Sequence, residues 1–527
     1  MLKTIGELNL GFSDASNYIQ RGNKQMLSSI FVKNSYLEDL LKPSVYFLLG
    51  EKGTGKTAYA AYLNNAEYKG FKSILKFITG TDYEKFYGLK KGQQIDISGY
   101  VDTWKAILLV LIAKSIDKKD IGFSIHRKNT LDELLKAIDE YYNNGFSPEI
   151  ITALKITDNS ERVAKLVCKY AEAGGTEGKI TEFTEQRMQL NLLYIAKRFS
   201  ECFNKLKLNK NIILFIDGID IRSSRIPYND YLECIQGLTD ACWSLNTDLF
   251  ANVKDSKGRI KIVLLLRPDI FNSLSIQNAT NKLTDNSVFL EWRTTYLTYT
   301  TSYLYQMANK LLSYDQSEQR IANLWDTYFD WKIPSPNQTR EYDTAFIEFL
   351  KISLSRPRDI HRILMLQQEL MKREGLSEEH TFSYNIYKSN EFQNRYSEYF
   401  LSSLKDQLAF YYSDTEFKYL KKFFELIPGR SFTYSEYIEA FDRYIDYICD
   451  STTDFPQFME GPKEFLQFLY DCNMIVAIEE LGENDRTFHF SYREKSSTNI
   501  TPEVPIDENI SYRFHYGLYK QTKKGRY

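Results

Sequence analysis

The residues with the most chemical potential lie in one run, Gly50-Glu51-Lys52-Gly53-Thr54-Gly55-Lys56-Thr57. Three glycines followed by a lysine and a hydroxyl suit a loop that wraps backbone N–H groups around a phosphate. Glycine leaves the approach open, and a helix beginning directly after the loop adds its positive end. On this reading Gly50, Gly53, Thr54 and Gly55 cradle the phosphates, Lys56 reaches the β and γ groups, and the Thr57 hydroxyl ligates Mg2+. A chance run of the same letters is the competing explanation. The flanks argue against it, because five apolar residues, Val45 to Leu49, lead into the loop and helix-forming Ala58, Tyr59 and Ala60 follow.

A second run, Asn211 to Asp220 (NIILFIDGID), supplies carboxylates. Its five apolar residues predict a strand buried on both faces, as parallel sheets require, which delivers Asp217 to the strand's C-terminal edge. There Asp217 would complete the Mg2+ shell that Thr57 begins. Asp220 would orient or activate a water, or else cap the loop before Ile226-Pro227. A third run, Lys261 to Pro268 (KIVLLLRP), ends in Arg267, placed either to sense a γ-phosphate or to pair with a surface carboxylate. Ser355-Arg356-Pro357-Arg358-Asp359-Ile360 then opens a helix with proline in its first turn. Arg356 or Arg358 would reach the nucleotide from a helical lid, with an ion pair to Asp359 as the plainer alternative.

The elements that must position these groups follow from periodicity. A helix is predicted from Lys24 to Leu41, with Leu27, Ile30, Phe31, Leu37 and Leu40 on one side, lying against the adenine or on a sheet edge. Lys72 to Thr79 reads as a strand, and Ser287 to Trp292 as the last of the sheet. Between residue 80 and residue 211 the pattern is mostly helical. Trp104, Ile107, Leu108 and Leu111 form one core stripe, and Leu192, Ile195, Phe199, Phe203 and Leu206 another. Residues 117 to 183 look inserted, and the glycine-rich 171–179 has no strand leading into it, so it reads as a connector. Helices run from Ser302 to Ser353. From Ser413 the order helix, RSFTY, helix, helix, then a hairpin around Leu481-Gly482-Glu483-Asn484 suggests a winged helix. Residues 496–509 read as a mobile linker or a long wing loop. After Glu508 the chain holds Arg513, Lys520, Lys523, Lys524 and Arg526 with no acid. It would contact DNA phosphates, with tyrosines stacking on bases, or simply be a solvated basic terminus.

Composition bounds the partners. At 527 residues the chain exceeds one hydrophobic core. Hydrophobic residues at 43% and charged residues at 26% describe a soluble globular protein, and 15% aromatics argue against broad disorder. A net charge of −2 provides no global field for nucleic acid. Six cysteines form no C-x-x-C pair, and the histidines show no zinc spacing, so reduced buried thiols in a cytoplasm are expected. There is no signal-like N-terminus and no apolar run of 18 residues, which predicts no membrane span.

With these residues in view, the chain resembles the P-loop ATPases allied to the STAND class, with its NACHT and KAP groups and its origin-recognition neighbours. Ile216-Asp217-Gly218-Ile219-Asp220 is similar to the NACHT metal strand, Arg267-Pro268 to that class's sensor, and Arg356-Pro357-Arg358-Asp359 to the Pro-Arg-Asp lid motif. The GEKGTGKTAYA and FIDGID wording is similar to a bacterial P-loop ATPase family met in phage-defence loci. The likeness spans Met1 to about Leu370. It implies an α/β P-loop NTPase with a parallel sheet, a large helical insertion and a helical lid, to which the helix and hairpin order after Ser413 adds a winged-helix-like C-terminal domain. The boundaries are 1–300 for the ATPase core (insertion about 95–205), 301–400 for the lid and 401–527 for the winged-helix-like domain. It further implies an ATP- and Mg2+-dependent switch that forms a homo-oligomer and controls an effector in trans, a nuclease among the candidates, in antiviral defence. Arg222 and Arg225 are then candidates for completing a neighbour's site. Ile221 stands where the NACHT pattern carries another acid, which points to slow hydrolysis. The alternatives are a DNA-binding or scaffolding module with structural ATP, and a replication-initiator-like ATPase.

Overall fold

The computed structural model describes residues 2–80, 82–84, 87, 97–121, 130–137, 196–274, 278–316, 323–335, 341–451, 457–482, 485–496 and 498–522. Most of the expected insertion lies outside these, as do the 171–179 connector, Leu192, Ile195, Lys523, Lys524 and Arg526. The chain forms two compact units, one of residues 36–49 and 56–288, the other of residues 1–35, 50–55 and 289–527.

The first unit is built on a sheet of five strands in the order β2-β3-β4-β1-β5. These are β1 (Phe47–Leu49), β2 (Phe71–Phe77), β3 (Asn211–Asp217), β4 (Ile260–Leu266) and β5 (Ser287–Phe289). The pairings of β2 with β3, β3 with β4 and β4 with β1 are parallel, with Phe77 opposite Asp217, Ile216 opposite Leu264 and Leu49 opposite Leu266. β1 and β3 are buried almost throughout, as near-continuous apolar runs must be when helices cover both faces. Parallel pairing brings the C-terminal ends of β1, β4 and β3 to one edge, where ligands of open α/β sheets bind. Helix α1 (Lys56–Asn65) follows the glycine-rich run. Helices α2 (Ile97–Ser115) and α3 (Tyr228–Ser244) pack together, and the Trp104 indole donates to the Cys234 carbonyl at 3.1 Å. The Trp104 stripe is core, as its spacing predicted. Buried Lys261 of β4 ties the chain leading into β1 by donating to the carbonyls of Leu40, Lys42 and Val45 at 2.6, 2.7 and 3.3 Å.

Several elements differ from expectation, among them β2, which ends at Phe77 and not Thr79, and the helical run expected over Ser302–Ser353, which a short antiparallel pair, Ile333–Pro334 with Tyr342–Asp343, interrupts. β4 stops at Leu266, because Pro268 starts a helix over Pro268–Ser273 with Arg267 at its N-cap. β5 ends at Phe289, three residues early. The helix expected over Lys24–Leu41 is two, Lys24–Ile30 and Ser35–Leu41. Phe31 between them is extended, and its carbonyl is satisfied by Lys310 Nζ at 2.7 Å in place of a helical partner.

The second unit centres on an aromatic cluster in which Trp325, Phe329, Trp331, Phe346 and Phe349 meet in stacked and edge-on pairs. Beside it lie α4 (Pro357–Arg373) and α5 (Asn390–Leu408). The N-terminal segment straps onto the same region. Ile5 N–H donates to the Glu379 carbonyl at 2.7 Å, and Gln368 donates to the carbonyls of Ile5 and Leu8. Further on come α6 (Asp414–Leu426), β6 (Ser431–Thr433), α7 (Tyr434–Ser451), α8 (Pro462–Asp471), β7 (Ile475–Gly482), β8 (Asp485–His489), α9 (Ser491–Glu494) and β9 (Ile510–Phe514). The hairpin β7–β8 is where the sequence predicts it. β9, however, joins it to make a four-stranded sheet in the order β8-β7-β9-β6. The stretch read as a basic tail is therefore in part a central strand. Its alternation of Ile510, Tyr512 and Phe514 inward with Ser511 and Arg513 outward is the signal the charge count obscured.

No helix among the described residues is long and apolar enough to cross a membrane. Cys202, Cys234, Cys242 and Cys472 are buried thiols and Cys449 is an exposed one, none of them in a disulfide.

Candidate functional site

Thr57 and Asp217 meet. The Thr57 hydroxyl, in the first turn of α1, donates to Asp217 Oδ2 at the end of β3 at 2.6 Å, across 160 positions of sequence. The other carboxylate oxygen, Oδ1, accepts the Gly218 N–H at 2.8 Å. Gly218 has φ +89°, and a Cβ there would stand 2.1 Å from the Ile78 carbonyl oxygen, so only glycine lets the chain turn away from β3 at this point. Tyr231 of α3 fixes the turn from beneath, its hydroxyl donating to the carbonyls of Ile219 and Ile221 at 2.9 and 3.3 Å.

Asp217 is 8% exposed. Burial raises its carboxyl above the usual range, against the lowering effects of the Thr57 bond, Lys56 and the Gly218 N–H, and the nearby Asp220 pushes it further up. A buried carboxylate disfavoured in this way gains from a cation. Adjacent oxygens around Mg2+ sit about 2.9 Å apart. The Thr57 and Asp217 oxygens, 2.6 Å apart, thus fit two neighbouring positions of one shell. Among the described residues no group of three or more acidic, histidine or cysteine side chains could hold a metal unaided.

The loop Gly50–Gly55 belongs to the second unit. A turn closes it internally, with Thr54 N–H and Thr54 Oγ1 donating to the Glu51 carbonyl at 3.2 and 2.8 Å. Gly53 and Gly55 take φ +90° and +93°. Among the described residues the Gly53 and Gly55 N–H groups donate to nothing. Paired glycine amides of this kind are what an anion-binding nest presents. The loop's carbonyls, by contrast, are engaged. Arg356 Nη1 donates to Lys52 O at 2.9 Å, the Arg358 N–H to Gly53 O at 3.3 Å and the Trp292 indole to Thr54 O at 2.8 Å. Lys495 Nζ pairs with the Glu51 carboxylate at 3.2 Å.

The remaining predicted residues fall as follows. Arg267 is 1% exposed and holds both oxygens of Asp269, the ion-pair arrangement. Arg356 is likewise buried. It makes two 2.9 Å bonds to Asp359, which also accepts the Leu354 N–H and the Tyr399 hydroxyl at 3.0 Å each. Burial works against the charged Arg356 guanidinium, but the attraction of and hydrogen bonds to the Asp359 carboxylate outweigh it and hold the group above the usual arginine range. Arg358 meets the loop through its backbone, and its Cβ lies 3.1 Å from where a Cβ on Gly53 would stand. Asp220 is half-buried in the turn after Gly218. Arg222 donates to the Ile226 carbonyl at 2.8 Å, and largely exposed Arg225 lies 3.5 Å from Glu84.

Tyr512 is buried with its hydroxyl on the Pro505 carbonyl, so it has no face to offer a base. α7 exposes Glu436, Glu439, Asp442, Asp446 and Asp450 against one arginine, Arg443. Sequence reasoning missed Trp292, Tyr231, Tyr399 and Lys495. Each sits in an unremarkable local context, and only the fold brings it to its partner. No protein-family model, no curated protein and no solved structure matches this chain.

Proposed function

We propose that the chain binds ATP with Mg2+ and uses it as a conformational switch. The observation that carries the reading is the 2.6 Å bond between Thr57 and Asp217, which joins the residue after the glycine-rich loop's lysine to the one acid at the end of a buried strand. The unengaged Gly53 and Gly55 amides supply donors for phosphate oxygens, and Lys56 the compensating charge. Mg2+, held by Thr57, Asp217 and the phosphates, would neutralise charge on the β- and γ-oxygens. Asp220 orients water for a slow hydrolysis. Self-association and an effector in trans complete the proposal, with the lid and C-terminal helices as the moving parts. The DNA-binding alternative is disfavoured by the acid on α7 and the burial of Tyr512.

Isothermal titration with ATP and Mg2+ tests the reading. The wild-type chain binds, and Lys56→Ala weakens binding about 100-fold, equivalent to ~2.7 kcal/mol. Asp220→Asn retains binding and loses turnover. Equal affinity in wild type and Lys56→Ala would remove the proposal.

A further inference from the structure

Every carbonyl from Lys52 to Thr54 is held by a group from beyond residue 290, and the one acid of the loop is held by another. A trans peptide unit is planar, with its C=O and the following N–H pointing in opposite directions. Fixing the carbonyl of Lys52 therefore fixes the N–H of Gly53, and fixing that of Thr54 fixes the N–H of Gly55. Neither of these two amides donates to any group among the described residues. The donors on the carbonyl side are themselves rigid. Arg356 is locked by Asp359, and Asp359 by Tyr399 of α5. Asp406, seven residues further along α5, lies 3.4 Å from the Lys52 ammonium. Ser355, immediately before Arg356, is buried with φ +51°, a strained conformation for a residue other than glycine that persists only where surrounding contacts enforce it. Lys495 follows α9 directly and holds both Glu51 and the Asp471 carbonyl that ends α8. The partners of the loop thus run through α4, α5, α8 and α9.

We infer that Trp292, Arg356 and Lys495 are positioning residues for the nucleotide that never touch the phosphates, Trp292 and Arg356 acting through the loop's backbone and Lys495 through the Glu51 carboxylate. They turn the Gly53 and Gly55 amides to the phosphate side. In return, phosphate binding loads residues 354–360 and 491–496. The inference rests on the nucleotide reading above and adds the route by which the lid and the C-terminal helices would register the ligand. It also gives Arg356 a role different from the phosphate contact its motif suggests, since its guanidinium is already committed to Asp359 and Lys52 O. Coupling of this kind is reciprocal, so weakening the brace weakens nucleotide binding by the same factor that nucleotide strengthens the brace.

The test is amide hydrogen exchange of the full chain with and without the non-hydrolysable analogue AMP-PNP and Mg2+. In wild type the analogue slows exchange at 354–360 and 491–496 several-fold. In Lys495→Glu the analogue still binds, about three- to tenfold more weakly, and the slowing at 491–496 disappears. The swap Glu51→Lys with Lys495→Glu restores it, a rescue that a merely structural lysine would not show. Lys495→Met, which keeps the stem and removes the charge, gives the same loss should the charge reversal disturb folding. Binding of AMP-PNP to wild type with no change in either segment, or full protection retained in both Lys495 variants, overturns this inference and leaves the nucleotide reading standing. Absence of AMP-PNP binding by wild type overturns both.

Discussion

The Thr57–Asp217 pair and the Gly50–Gly55 loop adjoin in sequence and are supported by opposite means. Asp217 ends a strand whose backbone is paired on both sides and whose side chains are sealed on both faces, so its position follows from the sheet ladder. The loop is supported by side chains from remote parts of the chain. The Lys52, Gly53 and Thr54 carbonyls accept from residues 238 to 305 positions away, and the loop's acid from one 444 positions away. A ladder tolerates the loss of one contact, because its neighbours remain. A loop held by three or four side chains does not, and each of those side chains can transmit what happens there. The Thr57–Asp217 pair is thus held by many redundant contacts and the loop by a few.

Substitutions can break this contrast from either side. The largest effect is expected at the root of the loop's brace. Asp359→Ala leaves the Arg356 guanidinium buried without its carboxylate, which costs about 3–5 kcal/mol in denaturant unfolding. On the other side, Gly218→Ala forces a Cβ against the Ile78 carbonyl at φ +89°, a cost of about 2–4 kcal/mol. If it proves neutral, the turn after β3 is not fixed as described.

Asp217→Asn acts in the reverse direction. Burial raises the Asp217 carboxyl in the chain without nucleotide. An acid raised on folding contributes stability that is full below its unfolded value and is lost as pH rises through the folded one. The amide escapes that loss. The variant should therefore match wild type below about pH 4 and exceed it in stability near neutrality, read from thermal midpoints across pH. A variant less stable than wild type at neutral pH would show that Asp217 is structural and not poised for a cation. The smallest effect is expected at Trp292. Its indole N–H contributes about 0.5–1.5 kcal/mol to the loop, so Trp292→Phe weakens ATP binding about threefold and removes the nucleotide-dependent change in tryptophan fluorescence.

The difference between the halves also explains what was legible in the sequence. β3, β4 and the turn to Asp217 are local patterns, an apolar run ending in an acid and a glycine, and their placement follows from composition and the rules of parallel sheets. The Pro357 helix start was legible for the same reason. Which partner Arg356 takes was not, because Lys52 O and Tyr399 reach it only through the fold. Lys495 lies in a polar stretch that carries no motif, and Trp292 reads as one more strand residue. β9 was misread because basic residues outweighed an inward alternation of only three positions. The single helix expected over Lys24–Leu41 failed on a contact as distant as Lys310.

The most direct measurement of the central claim is the Mg2+ dependence of ATP affinity in wild type and Asp217→Asn. Thr57 and Asp217 form the metal half of the site only if Mg2+ tightens ATP binding to wild type about tenfold or more and leaves the variant's affinity nearly unchanged. An equal Mg2+ effect in the two proteins, or no ATP binding by wild type at any Mg2+ concentration, would contradict it.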